Sequence, residues 1–145
     1  REPPPRPGQR PNPAIGAACA DVQGVFPEYH LAIFKGQPTK EGAGYTTEQL
    51  RNTFPAAAGL TGEKLTQFQS CFDTRATATF VDQQNKFNTA YTTAQYTKLG
   101  GETNPEAKAW GSTPLMTVNG KRLDTTKLDA ANQASLLEAI KATAG

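Results

Sequence analysis

The chain has 145 residues, 37% of them apolar, with 15 Lys+Arg against 13 Asp+Glu and a net charge of +2. That length fits a single domain, but the apolar share is low for it, so the core is expected to be thin or to be completed by a partner. The charge is spread along the chain with no basic block interleaved with aromatics, which argues against nucleic acid. No run approaches the ~18 to 20 apolar residues of a membrane-spanning helix. The chain opens at Arg1 with no charged-then-apolar signal segment, so any addressing segment is expected to have been removed.

Residues 1 to 13 hold six prolines and three arginines, a composition that favours extended polyproline II and cannot bury apolar area. Residues 1–12 are read as a tail or linker. Asn12-Pro13 then supplies a helix N-cap followed by a proline at the first helical position. The helix it predicts carries Ile15, Cys19 and Val22 on one stripe and stops at Gly24. A second helix opens at Phe26-Pro27-Glu28, with Phe26, Tyr29, His30, Ile33 and Phe34 as its apolar face, and ends at Gly36. Thr46 and Gln49 fit a capping box for a third helix over about 47–58, in which Pro55 should force a kink or a break.

A fourth helix, about 62–72, places Leu65, Phe68, Cys71 and Phe72 on one side. A longer and more polar helix follows over about 75–99. Its Phe80, Gln84, Phe87, Tyr91 and Ala94 recur at alternating spacings of four and three, which marks a narrow apolar seam. Gly100-Gly101 closes it, and Asn104-Pro105 starts a short helix to about Ala109. The period then changes. Leu115 to Val118 and Lys121 to Leu123 are β-favouring runs joined by Asn119-Gly120, a pair suited to the two positive-φ positions of a type I′ hairpin turn. Asn132 should cap a last helix with Leu136, Leu137 and Ile140 facing inward.

Ser112-Thr113-Pro114-Leu115-Met116-Thr117-Val118-Asn119-Gly120-Lys121 resembles the strand and hairpin that follow the cis-proline in DsbA-like members of the thioredoxin superfamily. Upstream, Ala17-Ala18-Cys19-Ala20, Phe26-Pro27-Glu28-Tyr29-His30 and Gly44-Tyr45-Thr46-Thr47-Glu48-Gln49-Leu50 resemble the helical insertion of actinobacterial members, so the likeness covers roughly residues 12–145. It implies an α+β, mainly helical fold: a helical part over 13–110 and the C-terminal ββα half of a thioredoxin fold over 111–145, together forming one compact unit. It also implies an exported, extracytoplasmic thiol–disulfide oxidoreductase whose partners are proteins or peptides bearing cysteines. Membrane association would then depend on a segment ahead of Arg1.

The sequence departs from that pattern at the chemistry. Family members carry an N-terminal strand, a Cys-x-x-Cys at the start of the next helix and a second strand before the insertion, and none of these is present. The attacking thiol of the family depends on a helix N-terminus to hold it as thiolate. This chain therefore has no catalytic residues of its own and is expected to be inactive alone. Carried over by resemblance, the substrate-binding role falls on Thr113, whose backbone would pair with an extended substrate, and on Pro114, whose preceding peptide bond would be cis. A plain turn into the strand is the alternative. A second functional class remains open: a non-catalytic thioredoxin-like binding or accessory subunit of a cell-envelope complex.

The two cysteines, Cys19 and Cys71, fall on apolar faces of different expected helices, and an exported relative of this family would join them in a structural disulfide. Two buried free thiols and a redox-active pair are the alternatives. His30, the sole histidine, has no cysteine pair or carboxylate cluster around it, so a metal site is not expected and core or boundary packing is. Trp110 and Met116 flank Pro114 and read as core residues, with a groove role as the second option. No nucleotide, calcium or hydrolase motif occurs, and no cofactor is implied.

Overall fold

The computed structural model describes residues 13–40, 42–111, 114–129 and 133–144. The chain is mainly helical with one two-stranded antiparallel sheet, an α+β arrangement. It divides into two compact units, the first ending at Gln84 and the second beginning at Asn85.

In the first unit, α1 (Pro13–Val22) and α2 (Phe26–Lys35) form a helical hairpin. Gly24 turns it with φ +77°, and the Val25 amide bonds back to the Ala20 carbonyl at 3.0 Å. The helices can approach closely because position 16 has no side chain: a Cβ there would collide with the Tyr29 hydroxyl. The capping box forms as its residues dictate. The Gln49 amide donates to Thr46 Oγ1 at 3.1 Å, and Gln49 Oε1 accepts from the Thr46 amide at 2.9 Å.

Pro55 does not break the third helix. It converts the preceding turn, Gln49–Thr53, into a π-helical one, followed by α3 (Phe54–Ala57). The Phe54 amide reaches back five residues to the Gln49 carbonyl. By the same five-residue step the Leu50 carbonyl would need the amide of residue 55, which proline lacks. The Tyr29 hydroxyl donates to that carbonyl instead, at 2.8 Å.

α4 (Gly62–Asp73) packs on α1 and on α3. The core includes Ile15, Cys19, Tyr29, Ile33, Leu50, Phe54, Leu60, Phe68 and Phe72, with Ala78 and Val81 from the start of α5 (Ala78–Lys98) packed against it. Tyr29 meets Phe54 edge-on and lies 5.4 Å, ring centre to ring centre, from Phe68. On the surface, Arg51 grips Asp73 with two hydrogen bonds of 2.8 Å.

α2 buries less than its pattern promised. Tyr29 and Ile33, four apart, are the buried line, whereas Phe26 and Phe34 are 41% and 59% exposed and His30 between them is also exposed. His30 is therefore neither core nor boundary. Its ring sits 5.6 Å from Phe26 and 4.6 Å from Phe34, so the three rings cover one another along the solvent side of the helix. A ten-residue helix packed on one flank has room for only one line of contact, and the second apolar line is left outside.

The second unit starts within α5, none of whose residues is buried. After Gly100, with φ +90°, a single 3-10 turn (Gly101–Thr103) leads to α6 (Pro105–Ala109), capped by Asn104, whose side chain accepts the Glu106 amide at 2.9 Å. β1 (Thr117–Val118) pairs with β2 (Lys121–Arg122) in the register Thr117 to Arg122 and Val118 to Lys121. Asn119 and Gly120 take φ +51° and +75°, as their turn requires, and the Leu123 amide extends the pairing to the Met116 carbonyl at 2.9 Å.

Arg122 reaches Glu106 with two bonds of 2.8 and 2.9 Å, fastening the hairpin to α6. Among the described residues of this unit, Ala107, Trp110 and Leu123 are buried. α7 (Gln133–Ala144) packs on β1, yet Leu137 and Ile140, expected inward, are 52% and 36% exposed. A two-residue strand pair is too narrow to cover a twelve-residue amphipathic helix. Asn132, read as the cap of this helix, lies outside the described residues. Among the described residues no helix is long and apolar enough to cross a membrane.

Candidate functional site: an aromatic groove beside Pro114

The second unit carries an open groove of about 640 Å³. Its apolar wall is built from Phe87 and Tyr91 of α5, Trp110 at the end of α6, and Leu115 ahead of β1. Gly111 and Leu115 both line it, and they bracket Pro114, which is exposed. Thr113, and with it the geometry of the 113–114 peptide bond, lies outside the described residues.

The wall has a defined order. Phe87 and Tyr91 sit one helical turn apart, with ring centres 6.3 Å apart and planes tilted by only 8°. Trp110 meets Tyr91 edge-on, 5.7 Å away at 70°. Tyr91 is thus held from both sides by packing that aromatic quadrupoles favour. Phe87 is 65% exposed and forms the rim, while Trp110 is 4% exposed and forms the floor. Trp110 is accordingly both a core residue and part of the groove.

The polar share of the lining is neutral: the Asn88 amide and the hydroxyls of Thr89, Thr92 and Thr117. None of the lining side chains carries a charge at neutral pH. Apolar surface with a few neutral polar groups suits an extended ligand that lays apolar side chains on the rings and its backbone on the hydroxyl or amide groups. Among the described residues no group of three or more His, Cys, Asp or Glu could hold a metal ion.

Met116 is half-buried and is not among the residues lining the groove, and Cys19, Cys71 and His30 lie in the first unit. Cys19 and Cys71 are joined by a disulfide that links α1 to α4. Cys19 is fully buried, and Thr77 Oγ1 lies 3.6 Å from its sulfur while donating to the Ile15 carbonyl at 3.3 Å. Thiol exchange needs an attacking thiolate to reach a sulfur, and packing closes that approach at Cys19. Its partner Cys71 is half-buried. His30 touches only phenylalanine rings among the described aromatic contacts and assembles no site.

A groove role for Trp110 beside Pro114 is the second option in the sequence, but the wall that α5 contributes is not legible there. The signals of the groove were present separately, as the Phe87 and Tyr91 positions of the α5 seam and the Trp110 beside the proline, but three segments had to be brought together for them to read as one surface. A scan against protein-family models and searches of curated proteins and of solved structures returned no match to this chain.

Proposed function

We propose that this chain is the helical and C-terminal portion of an extracytoplasmic DsbA-like thiol–disulfide oxidoreductase, in which the groove beside Pro114 receives an extended segment of a protein substrate. The observation that carries this reading is the position of the groove. It is lined by residues on both sides of Pro114 and continues to Thr117 at the start of β1, where an extended chain could run along the strand. The residues after Pro114, through Asn119-Gly120-Lys121 to a closing helix, follow the order that the resemblance describes. The Cys19–Cys71 bridge supports an oxidising compartment, since such bonds are rare where thiols are kept reduced.

Both cysteines are consumed by that bridge, so dithiol chemistry would have to come from a Cys-x-x-Cys segment outside these residues. The uncovered apolar side chains of α7 and the short sheet fit a fold that further strands would complete. The test is the reading frame upstream of Arg1. If it encodes a strand followed by Cys-x-x-Cys, the full polypeptide should oxidise a reduced dithiol peptide while the present chain does not. Turnover by the present chain alone, or failure of the full polypeptide, would refute the proposal.

The consumption of both thiols also favours a second reading, a non-catalytic accessory subunit of an envelope complex that kept the groove for binding. A reading frame without a Cys-x-x-Cys, together with peptide binding by the chain, would select it.

A further inference from the structure

The three rings of the groove wall follow one another at steps of 6.3 and 5.7 Å, with Tyr91 as the middle ridge. Ligands that suit ridged aromatic walls of this kind are polyproline II segments, which enter already extended and lose little conformational freedom on binding. Such a helix has three residues per turn and rises about 3.1 Å per residue, so residues three apart recur on one edge about 9 Å apart. That spacing lets two prolines straddle the Tyr91 ring, one of them on the exposed Phe87 and the other past Tyr91, above the buried Trp110. The backbone of such a ligand has no internal hydrogen bonds and presents its carbonyls outward. The Asn88 amide and the Thr89 and Thr117 hydroxyls are donors of the right kind for them, whereas the Thr92 hydroxyl is spent on the Asn88 carbonyl at 2.9 Å.

The chain itself contains a segment of this chemistry. In residues 1–12, Arg1, Pro4, Pro7 and Arg10 repeat at intervals of three, with Pro3 and Pro5 beside them. We infer that the groove binds polyproline II, and that the Pro-rich segment of residues 1–12, presented in trans, is its occupant. The inference rests on the reading of the groove as a seat for extended polypeptide and adds regulation to it. The segment and a substrate chain compete for the same wall.

The experiment uses the full chain carrying Pro4→Ala and Pro7→Ala, so that its own segment does not interfere. It is titrated with a peptide of residues 1–12 while the emission of Trp110, the single tryptophan, is followed. A saturable change is expected. Binding should weaken at least about tenfold, or ~1.4 kcal/mol, when the peptide carries Pro4→Ala and Pro7→Ala or when the chain also carries Phe87→Ser. Phe87 is mostly exposed, so that variant is expected to keep its fold, which circular dichroism checks.

Equal binding of the proline and alanine peptides would overturn the inference. A proline-free apolar peptide with one cysteine separates the two levels. A response to that peptide alone removes the proline inference and leaves the groove as a polypeptide seat, whereas a response to neither peptide removes both. Displacement of the cysteine peptide by residues 1–12 would support the competition.

Discussion

The Tyr29 hydroxyl stands in for a backbone amide that Pro55 lacks: it donates to the Leu50 carbonyl at 2.8 Å, at the π-helical turn that the proline creates. Tyr29 and Leu50 are both fully buried, so no solvent can replace this bond. Tyr29→Phe should therefore cost on the order of 1–3 kcal/mol, the penalty of a buried acceptor left unpaired. The check is a lower denaturant midpoint with an unchanged slope.

The same residue sets an alkaline limit. Burial pushes the Tyr29 phenol well above its ordinary value near 10.0. Because the native state holds the proton more tightly than the unfolded state, the stabilisation is complete below the ordinary phenol value. It is lost as pH climbs from there toward the native value. Unfolding midpoints should fall above about pH 10 in the wild type and fall less steeply in Tyr29→Phe, a comparison made by denaturation at stepped alkaline pH.

Gly16 is required by packing against the same ring. A Cβ there would meet the Tyr29 hydroxyl and lie 2.9 Å from Cζ. Gly16→Ala gains helix propensity of about 1 kcal/mol and should nevertheless destabilise, since overpacking typically costs about 1–3 kcal/mol and here also disturbs the bond to Leu50. In a Tyr29→Phe background, where the hydroxyl is gone, the cost should shrink. A double-mutant cycle measures this coupling, and strict additivity would contradict the close approach.

The Cys19–Cys71 bridge closes a loop of 52 positions. In the chain-entropy model a loop of that size contributes on the order of 4 kcal/mol, and measured values often fall below it. Replacing both cysteines by alanine should lower the stability of the first unit by several kcal/mol on that scale. Intact mass should rise by two hydrogens on reduction of the wild type and not at all in the double variant.

The hairpin fastening carries an acid dependence. Arg122, hydrogen-bonded to Glu106, holds that carboxyl below its ordinary range. The stabilisation is present above the ordinary carboxylate value and is lost as pH falls through the lowered native one. Glu106 is about half exposed, so the effect should stay within about 1 kcal/mol. Glu106→Gln should flatten the acid limb of an unfolding curve followed by Trp110 emission between about pH 5 and 3.

Features set by chemistry between near neighbours in sequence were readable in advance. Asn119-Gly120 dictated its turn, Thr46 and Gln49 their reciprocal bonds, and Asn104 its cap, because each partner lies within a few residues. The outcome at Pro55 was not readable, since the group that rescues its turn is Tyr29, two elements away. On α2 the period marked two apolar lines, and only the neighbours α1, α3 and the π turn decide which is buried. The groove has the same limitation. Phe87 and Tyr91 advertised a seam, but what makes them a surface with Trp110 and Leu115 is the return of the chain beside α5, which no local pattern encodes.

The bridge belongs to one unit of this molecule and the sole indole to the other. Redox state and intrinsic fluorescence are thus separate channels of observation. A reductant titration read by mass then follows a bond of the first unit, and a ligand titration read by light follows an indole of the second.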